Sequence, residues 1–319
     1  MNSGVGGLKG QKEGVSLKQG EKQAFRSGFV AIMGPPNVGK STLINRIMGG
    51  HFAIVTKKPQ TTRTAIRAIK NMGYSQVIFT DTPGVHLSQK AFNKLLVQSA
   101  KNASREADVI LAMVSAQKSQ EEDNEFLLSI LEEIVGVPKV VAVNKIDKAH
   151  DLDVKELVER YSQIPFIHKT LPISALLGSG IDELMGTLID LLPESPPLFP
   201  TDMETDMTER FFASEIIREK VFLLTRNEIP YDIAVEIEQF KEDAEKGLLK
   251  ISAVIHVNRE NQKRIVIGKN GNLIKKIGML SRQDLEEFFQ IHVFLELWVR
   301  VSRNWMKNPN MLKELGILT

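Results

Sequence analysis

The residues GPPNVGKS at Gly34–Ser41 have the spacing G-x-x-x-x-G-K-[ST]. That spacing suits a chain of phosphates. Gly34 and Gly39 let the backbone curl, so that N–H groups of the loop face anionic oxygens. Pro35, Pro36, Asn37 and Val38 make up the loop between them, and Thr42 follows in the first helical turn. A helix starting near Gly39 would point its positive end at the same place. Lys40 would reach the β- and γ-phosphates as a point charge. The Ser41 hydroxyl would be a ligand for Mg2+. An apolar run precedes the loop and a helical pattern follows it, as this chemistry requires.

Four shorter segments extend the site. DTPG at Asp81–Gly84 closes the apolar run Gln76–Thr80. A carboxylate at a strand's carboxyl end is where an α/β domain holds its ligand. Asp81 would hold magnesium, and the Gly84 N–H, beyond Thr82 and Pro83, would meet the γ-phosphate. NKID at Asn144–Asp147 follows another buried run. An Asp147 carboxylate only accepts hydrogen bonds, and guanine offers two parallel donors where adenine offers none. Lys145 would cover the base with its aliphatic stem, and Asn144 would tie loops together. SAL at Ser174–Leu176, including Ala175, would turn a backbone N–H toward the guanine oxygen. QTTR at Gln60–Arg63 lies in a polar stretch suited to a switch. Thr62 is the candidate that closes on magnesium when the γ-phosphate is present, with Thr61 as the alternative.

Taken singly, DTPG reads as a turn and SAL as nothing at all. Their order and strand-end placement make them a set. Together, GPPNVGKS, QTTR, DTPG, NKID and SAL resemble the five guanine-nucleotide motifs of translation-factor-class GTPases, over residues 28–192. Lys40, Thr62 and Gly84 are then the candidate catalytic groups. Val85 stands where many small GTPases place a water-orienting Gln. Slow intrinsic hydrolysis of GTP to GDP is therefore expected. Asn37 resembles the Asn of cation-activated GTPases and makes K+ a candidate cofactor beside Mg2+.

The elements that must position these residues follow from periodicity. Strands are expected at Phe29–Met33, Gln76–Thr80, Val109–Val114, Lys139–Asn144 and Phe166–Ile173. Leu43, Ile44, Ile47 and Met48 form one helix face; Leu127, Leu128, Leu131 and Ile134 form another. The alternation implies an α/β domain: a doubly wound, mostly parallel sheet over residues 27–193. PESPPLFP at Pro193–Pro200 reads as a linker, assigned to 194–206. The segment 1–26 carries five Lys/Arg against two acids and reads as a disordered basic tail. Residues 305–319 form a second tail.

Residues 207–304 have a different pattern. A helix over Thr208–Leu224 is followed by strands at Ile233–Gln239 and Leu249–Val257. Then VIGKNG at Val266–Gly271 sets Gly268, Lys269, Asn270 and Gly271 between an apolar strand and a helix. Helices over Asn272–Ile277 and Ser281–Gln290 follow, the latter opened by a Ser281–Asp284 capping box, then a strand at His292–Val301. Arg259–Lys276 holds six basic residues and one acid. Lys263, Arg264, Lys269, Lys275 and Lys276 around the glycines would clamp a single-stranded nucleic-acid backbone, as KH domains do. Ile265, Ile267, Ile274 and Ile277 would form the floor beneath the bases.

A GTPase domain followed by such a module resembles the Era family of bacterial GTPases. The likeness continues through Phe211–Tyr231, Val266–Gly278 and His292–Val301. It implies an α+β KH domain of type II, binding to the 3′ region of 16S rRNA and the small ribosomal subunit, and a role in 30S ribosome biogenesis. It also implies a cytoplasmic monomer, with room for peripheral association with the inner membrane.

Composition closes off other chemistries. The 319 residues include no cysteine, which excludes disulfides, thiolate metal sites and a catalytic thiol. No apolar run reaches the ~20 residues of a membrane span.

Overall fold

The computed structural model describes residues 24–50, 52, 67–81, 105–225, 233–305 and 311. The first domain is built on a six-stranded sheet. Its strands are β1 (Arg26–Met33), β2 (Arg67–Met72), β3 (Ser75–Asp81), β4 (Val109–Ser115), β5 (Lys139–Asn144) and β6 (Lys169–Pro172). The spatial order is β2-β3-β1-β4-β5-β6. All pairs are parallel except β2 with β3. Every residue of β4 and β5 is buried, which is why both read as unbroken apolar runs.

Helices α1 (Lys40–Met48), α2 (Glu121–Glu132), α3 (Asp151–Ser162) and α4 (Ile181–Leu191) cover the sheet. Leu43, Ile44, Ile47 and Met48 all point into one core, beneath α1 and α4. Leu127, Leu128, Leu131 and Ile134 fill the other, beneath α2 and α3. Two expected bounds differ. Arg26 already belongs to β1, paired with Ser75, rather than to the tail. The last strand begins at Lys169, because Ile164–Ile167 is a turn closed by an N–H···O bond of 3.0 Å.

The second domain has the order α5 (Glu209–Leu224), β7 (Ala234–Asp243), β8 (Leu248–Val257), α6 (Glu260–Ile267), α7 (Asn272–Phe289) and β9 (His292–Val301). This is the expected α-β-β-α-α-β order, with the sheet β7-β8-β9. Thr208 caps α5, its hydroxyl accepting from the Phe211 N–H.

Two expectations for this domain are corrected. Ile265–Ile267 is the last turn of α6, not a strand. And α7 runs unbroken through Gly278, so there is no second start at Ser281. Ile277, Ser281 and Leu285 form one buried stripe at i, i+4 spacing, which continues the helix. Asp284 does not cap; it pairs with Lys220 of α5.

The segment between the domains is held along its length. Gln76 is wholly buried; its Oε1 accepts from Leu198 N and Phe199 N, and its Nε2 donates to Phe199 O. Asn71 Nδ2 donates to Met203 O, Ile69 N to Glu204 O, and Arg67 pairs with Asp206 at 2.9 Å. Residues 198–206 thus form a strap along the β2 edge. Beyond it, Phe212 of α5 leaves its own domain's core and packs in the first domain's core. Its ring meets Phe52 edge-on at 5.6 Å and stacks on Phe288 of α7 at 5.1 Å. Trp305, placed in the tail by sequence, is buried.

Truncating the Phe212 ring removes its contacts with Phe52 and Phe288, and with the neighbouring Phe211, at once. Phe212→Ala is expected to cost about 3–5 kcal/mol, read as a lower midpoint in denaturant melts. A loss under ~1 kcal/mol would show that the bridge is not a structural joint.

Candidate functional site

Each nucleotide-motif residue that can be placed lies at a strand's carboxyl end. β1 runs into Gly34, β5 ends at Asn144 and β6 leads to Ser174. Asp81 closes β3 in register with Ile32, two residues before Gly34. The crevice is the one where open α/β sheets bind ligands.

The loop before α1 is built from left-handed residues. Asn37 has φ 59° and Gly39 φ 111°. A Cβ at Gly34 would come within 2.7 Å of Met113 O, and one at Gly39 would strike the Asn144 amide. Lys40 folds back over the loop, its Nζ donating to Gly34 O at 2.8 Å and Pro35 O at 3.1 Å. No acidic residue occupies the first turn of α1, where Ser41 and Thr42 lie, so nothing there opposes an anion.

Asn144 joins two loops. Its Nδ2 donates to Val38 O at 2.8 Å, and its Oδ1 accepts from Ala175 N at 2.9 Å. Asp147 sits in a short 3-10 turn, and its Oδ1 accepts from Ser174 Oγ at 2.6 Å. That hydroxyl also accepts from Leu177 N. The carboxylate is thus oriented by the loop that would face the base. Leu176 is exposed beside it.

Three residues that the motifs do not single out complete the frame. Gln117 and Gln120 both accept from Lys145 Nζ, at 3.2 and 3.0 Å. Gln120 also donates to Pro36 O. They stretch the Lys145 side chain across the cleft, and burial, then the neighbouring Lys148 charge, push its ammonium below the ordinary lysine range. Arg46 of α1 donates to the Ala175 and Leu176 carbonyls. Their only sequence signal is a polar or basic type near a motif. Thr61, Thr62, Thr82, Pro83, Gly84, Val85 and the QTTR loop lie outside the described residues.

In the second domain, Gly268 (φ 75°), Asn270 (φ 54°) and Gly271 (φ 74°) turn the chain between α6 and α7. A Cβ at Gly268 would lie 2.6 Å from Leu273 Cβ. Arg264, Lys269, Asn270, Lys275 and Lys276 are exposed around this turn, and Lys263 is half-buried. The first turn of α7 holds no acid. The expected floor is only partly present: Ile265 is exposed, Ile267 and Ile274 are half-buried, and Ile277 is core.

The two halves define a class: a P-loop guanine-nucleotide protein carrying a type II KH domain. Family models agree, with "50S ribosome-binding GTPase" matching residues 29–145 and "KH domain" matching residues 228–306. GTPase Era of Geotalea daltonii is 46% identical over 295 residues, 92% of this chain and 99% of that protein. GTPase Era of Syntrophus aciditrophicus is 46% identical over 292 residues, 92% and 95% of the two chains. Among solved structures, an Aquifex aeolicus Era variant bound to GDP and AlF4− matches with a TM-score of 0.82 and 41% identity, over 92% of this chain and all of that one. Era in complex with MgGDPNP and nucleotides 1506–1542 of 16S ribosomal RNA matches with a TM-score of 0.81 and 40% identity, at the same coverage. The chain belongs to the Era family of GTPases.

The proposed base-reading residue is Asp147. In Asp147→Asn the amide presents a donor where guanine presents one too. GTP affinity is expected to fall by roughly 100-fold, about 3 kcal/mol, while xanthosine triphosphate gains. Unchanged nucleotide preference in a competition assay would remove Asp147 from base reading.

Proposed function

We propose that this protein is a GTP-hydrolysing switch that binds the 3′ region of 16S rRNA and acts in assembly of the small ribosomal subunit. The observation that carries it is the junction of two sites in one packed body. A guanine pocket sits on the first domain. The glycine turn begins α7, and the far end of α7 packs through Phe288 and Phe212 onto that same domain. The solved relative bound to MgGDPNP and 16S rRNA supports the reading.

The donor set suits the nucleotide. Lys40, the N–H groups of Asn37, Val38 and Gly39, and the start of α1 would hold the phosphates. Ser41, Asp81 and Thr62 would hold Mg2+, which neutralises charge developing on the β- and γ-oxygens. Asp147, Lys145 and the Ser174–Leu176 loop would hold the base. With GTP, the segments of Thr62 and Gly84 would close on the γ-phosphate; after hydrolysis they would relax. Because Val85 cannot orient water, intrinsic turnover would be slow. Asn37 is exposed at the loop's outer edge, where an alkali cation could complete the charge. The expected setting is the cytoplasm. The basic segment 1–26 would permit peripheral contact with an anionic inner-membrane face.

RNA fragments from the 16S 3′ end should raise GTP turnover. They should also bind with affinities that differ by about 5- to 150-fold between GDP and a non-hydrolysable GTP analogue. Identical affinities would remove the switch. Lys40→Ala should abolish nucleotide binding; if RNA binding and cellular function then persist, a scaffold whose nucleotide only stabilises the fold replaces it. Turnover should also be faster in potassium than in sodium at equal ionic strength, and equal rates would remove the alkali cation.

A further inference from the structure

Arg46 stands in the last turn of α1, the helix that begins at the phosphate loop. Its side chain reaches the loop after β6. There Nε donates to Ala175 O at 3.4 Å and Nη2 donates to Leu176 O. The guanidinium packs over Gly178: a Cβ built there would lie 3.7 Å from Arg46 Nε. Arg46 therefore grips two successive carbonyls of the loop with one planar fork.

That grip fixes the peptide planes. In a planar trans peptide the N–H points opposite to its C=O. Ala175 O, drawn to Arg46, turns Leu176 N–H away from α1, and Leu176 O does the same to Leu177 N–H. The partners of Leu177 show where that direction leads. Leu177 N donates to Ser174 Oγ at 3.1 Å, and that hydroxyl donates to Asp147 Oδ1 at 2.6 Å. The side opposite Arg46 is thus the Asp147 side. The other amides of the loop are spent: Ser174 N on Ser179 O, Ala175 N on Asn144 Oδ1, and Gly178 N on Ser174 O. Leu176 N–H has no acceptor among the described residues.

We propose that Arg46 is a positioning residue for recognition of the purine 6-oxygen, aiming Leu176 N–H at that atom. It rests on the base-pocket reading of Asp147. In guanine the 6-oxygen sits on the carbon next to N1–H, and N1–H is a donor that Asp147 would accept. A free N–H beside the carboxylate matches that order of donor and acceptor. Arg46 itself would touch no part of the nucleotide. It lies six residues after Lys40, about 9 Å along the helix, so α1 would serve both ends of the ligand. Its start faces the phosphate loop and its end sets the base loop.

The test measures binding of GDP, inosine diphosphate and 6-thioguanosine diphosphate to the full chain with Mg2+, by competition. Inosine lacks the 2-amino group that Asp147 would read. The thio analogue keeps both donors but replaces the oxygen by sulfur, a weak acceptor. The wild type should prefer GDP to both. Arg46→Ala should bind GDP roughly tenfold more weakly, lose most of its preference for GDP over the thio analogue, and keep its preference for GDP over inosine diphosphate. Arg46→Lys, which can reach one carbonyl, should fall between them, and it carries the test if the alanine variant does not fold. Equal loss for all three nucleotides in the variants would make Arg46 a structural tie alone and overturn the proposal. So would a wild type that does not distinguish sulfur from oxygen. Equal wild-type affinity for GDP and inosine diphosphate would instead remove the base pocket itself, and the proposal with it.

Discussion

Everything in the nucleotide site hangs on the Asn144 side chain. It is buried, and both ends of its amide are used, one on the phosphate loop and one on the base loop. This pins the distance between the Gly34–Ser41 loop proposed for phosphates and the Ser174–Leu176 loop proposed for guanine. It also dictates the residue opposite: Gly39 is left-handed and its missing Cβ is the space that the amide fills. Leaving either end unpaired would cost about 1–3 kcal/mol in desolvation alone, so the two loops are locked rather than merely adjacent.

The second constraint is mechanical. The strap of residues 198–206 bonds to β2 and β3, the two strands that flank the Gln60–Arg63 and Asp81–Gly84 motifs in sequence. Phe52, Phe212 and Phe288 then carry packing from the first domain to α7. One helix therefore has its carboxyl end in the interdomain cluster and its amino end at the glycine turn. A shift at either end must be met by the other or absorbed by disrupting the packing between them.

The sequence was most legible where chemistry repeats a pattern. The buried strands read as apolar runs because parallel strands have helices on both faces. Motif residues could be placed because they close those runs. Legibility failed where a residue's role depends on distant partners. PESPPLFP has the composition of a linker, and distant partners, the buried Gln76 and Ser27 among them, turn it into a strap. Met279–Leu280–Ser281 after Gly278 looks like a helix end and restart; the apolar stripe continues through Ser281 because a small hydroxyl fits a fully buried slot there. Arg46, Gln117 and Gln120 act largely on main-chain carbonyls or on Lys145, and no spacing announces that.

The two sites use one device in two ways. Each puts an Asn and a following Gly in left-handed conformation just before a helix whose first turn has no acid: Asn37 and Gly39 before α1, Asn270 and Gly271 before α7. In both, N–H groups and the helix's positive end would suit an anion. What differs is enclosure. At the first, Val38 is buried, Asn144 locks the loop from behind and Lys40 is drawn inward. That geometry would wrap the end of a phosphate chain and tie it to a base pocket. At the second, Lys269 and Asn270 are exposed and the neighbouring lysines point away from the core. An open turn of this kind would suit a backbone that continues on both sides. The same local physics thus suits a closed loop to a mononucleotide and an open one to a strand, and the difference is set by what packs behind the loop.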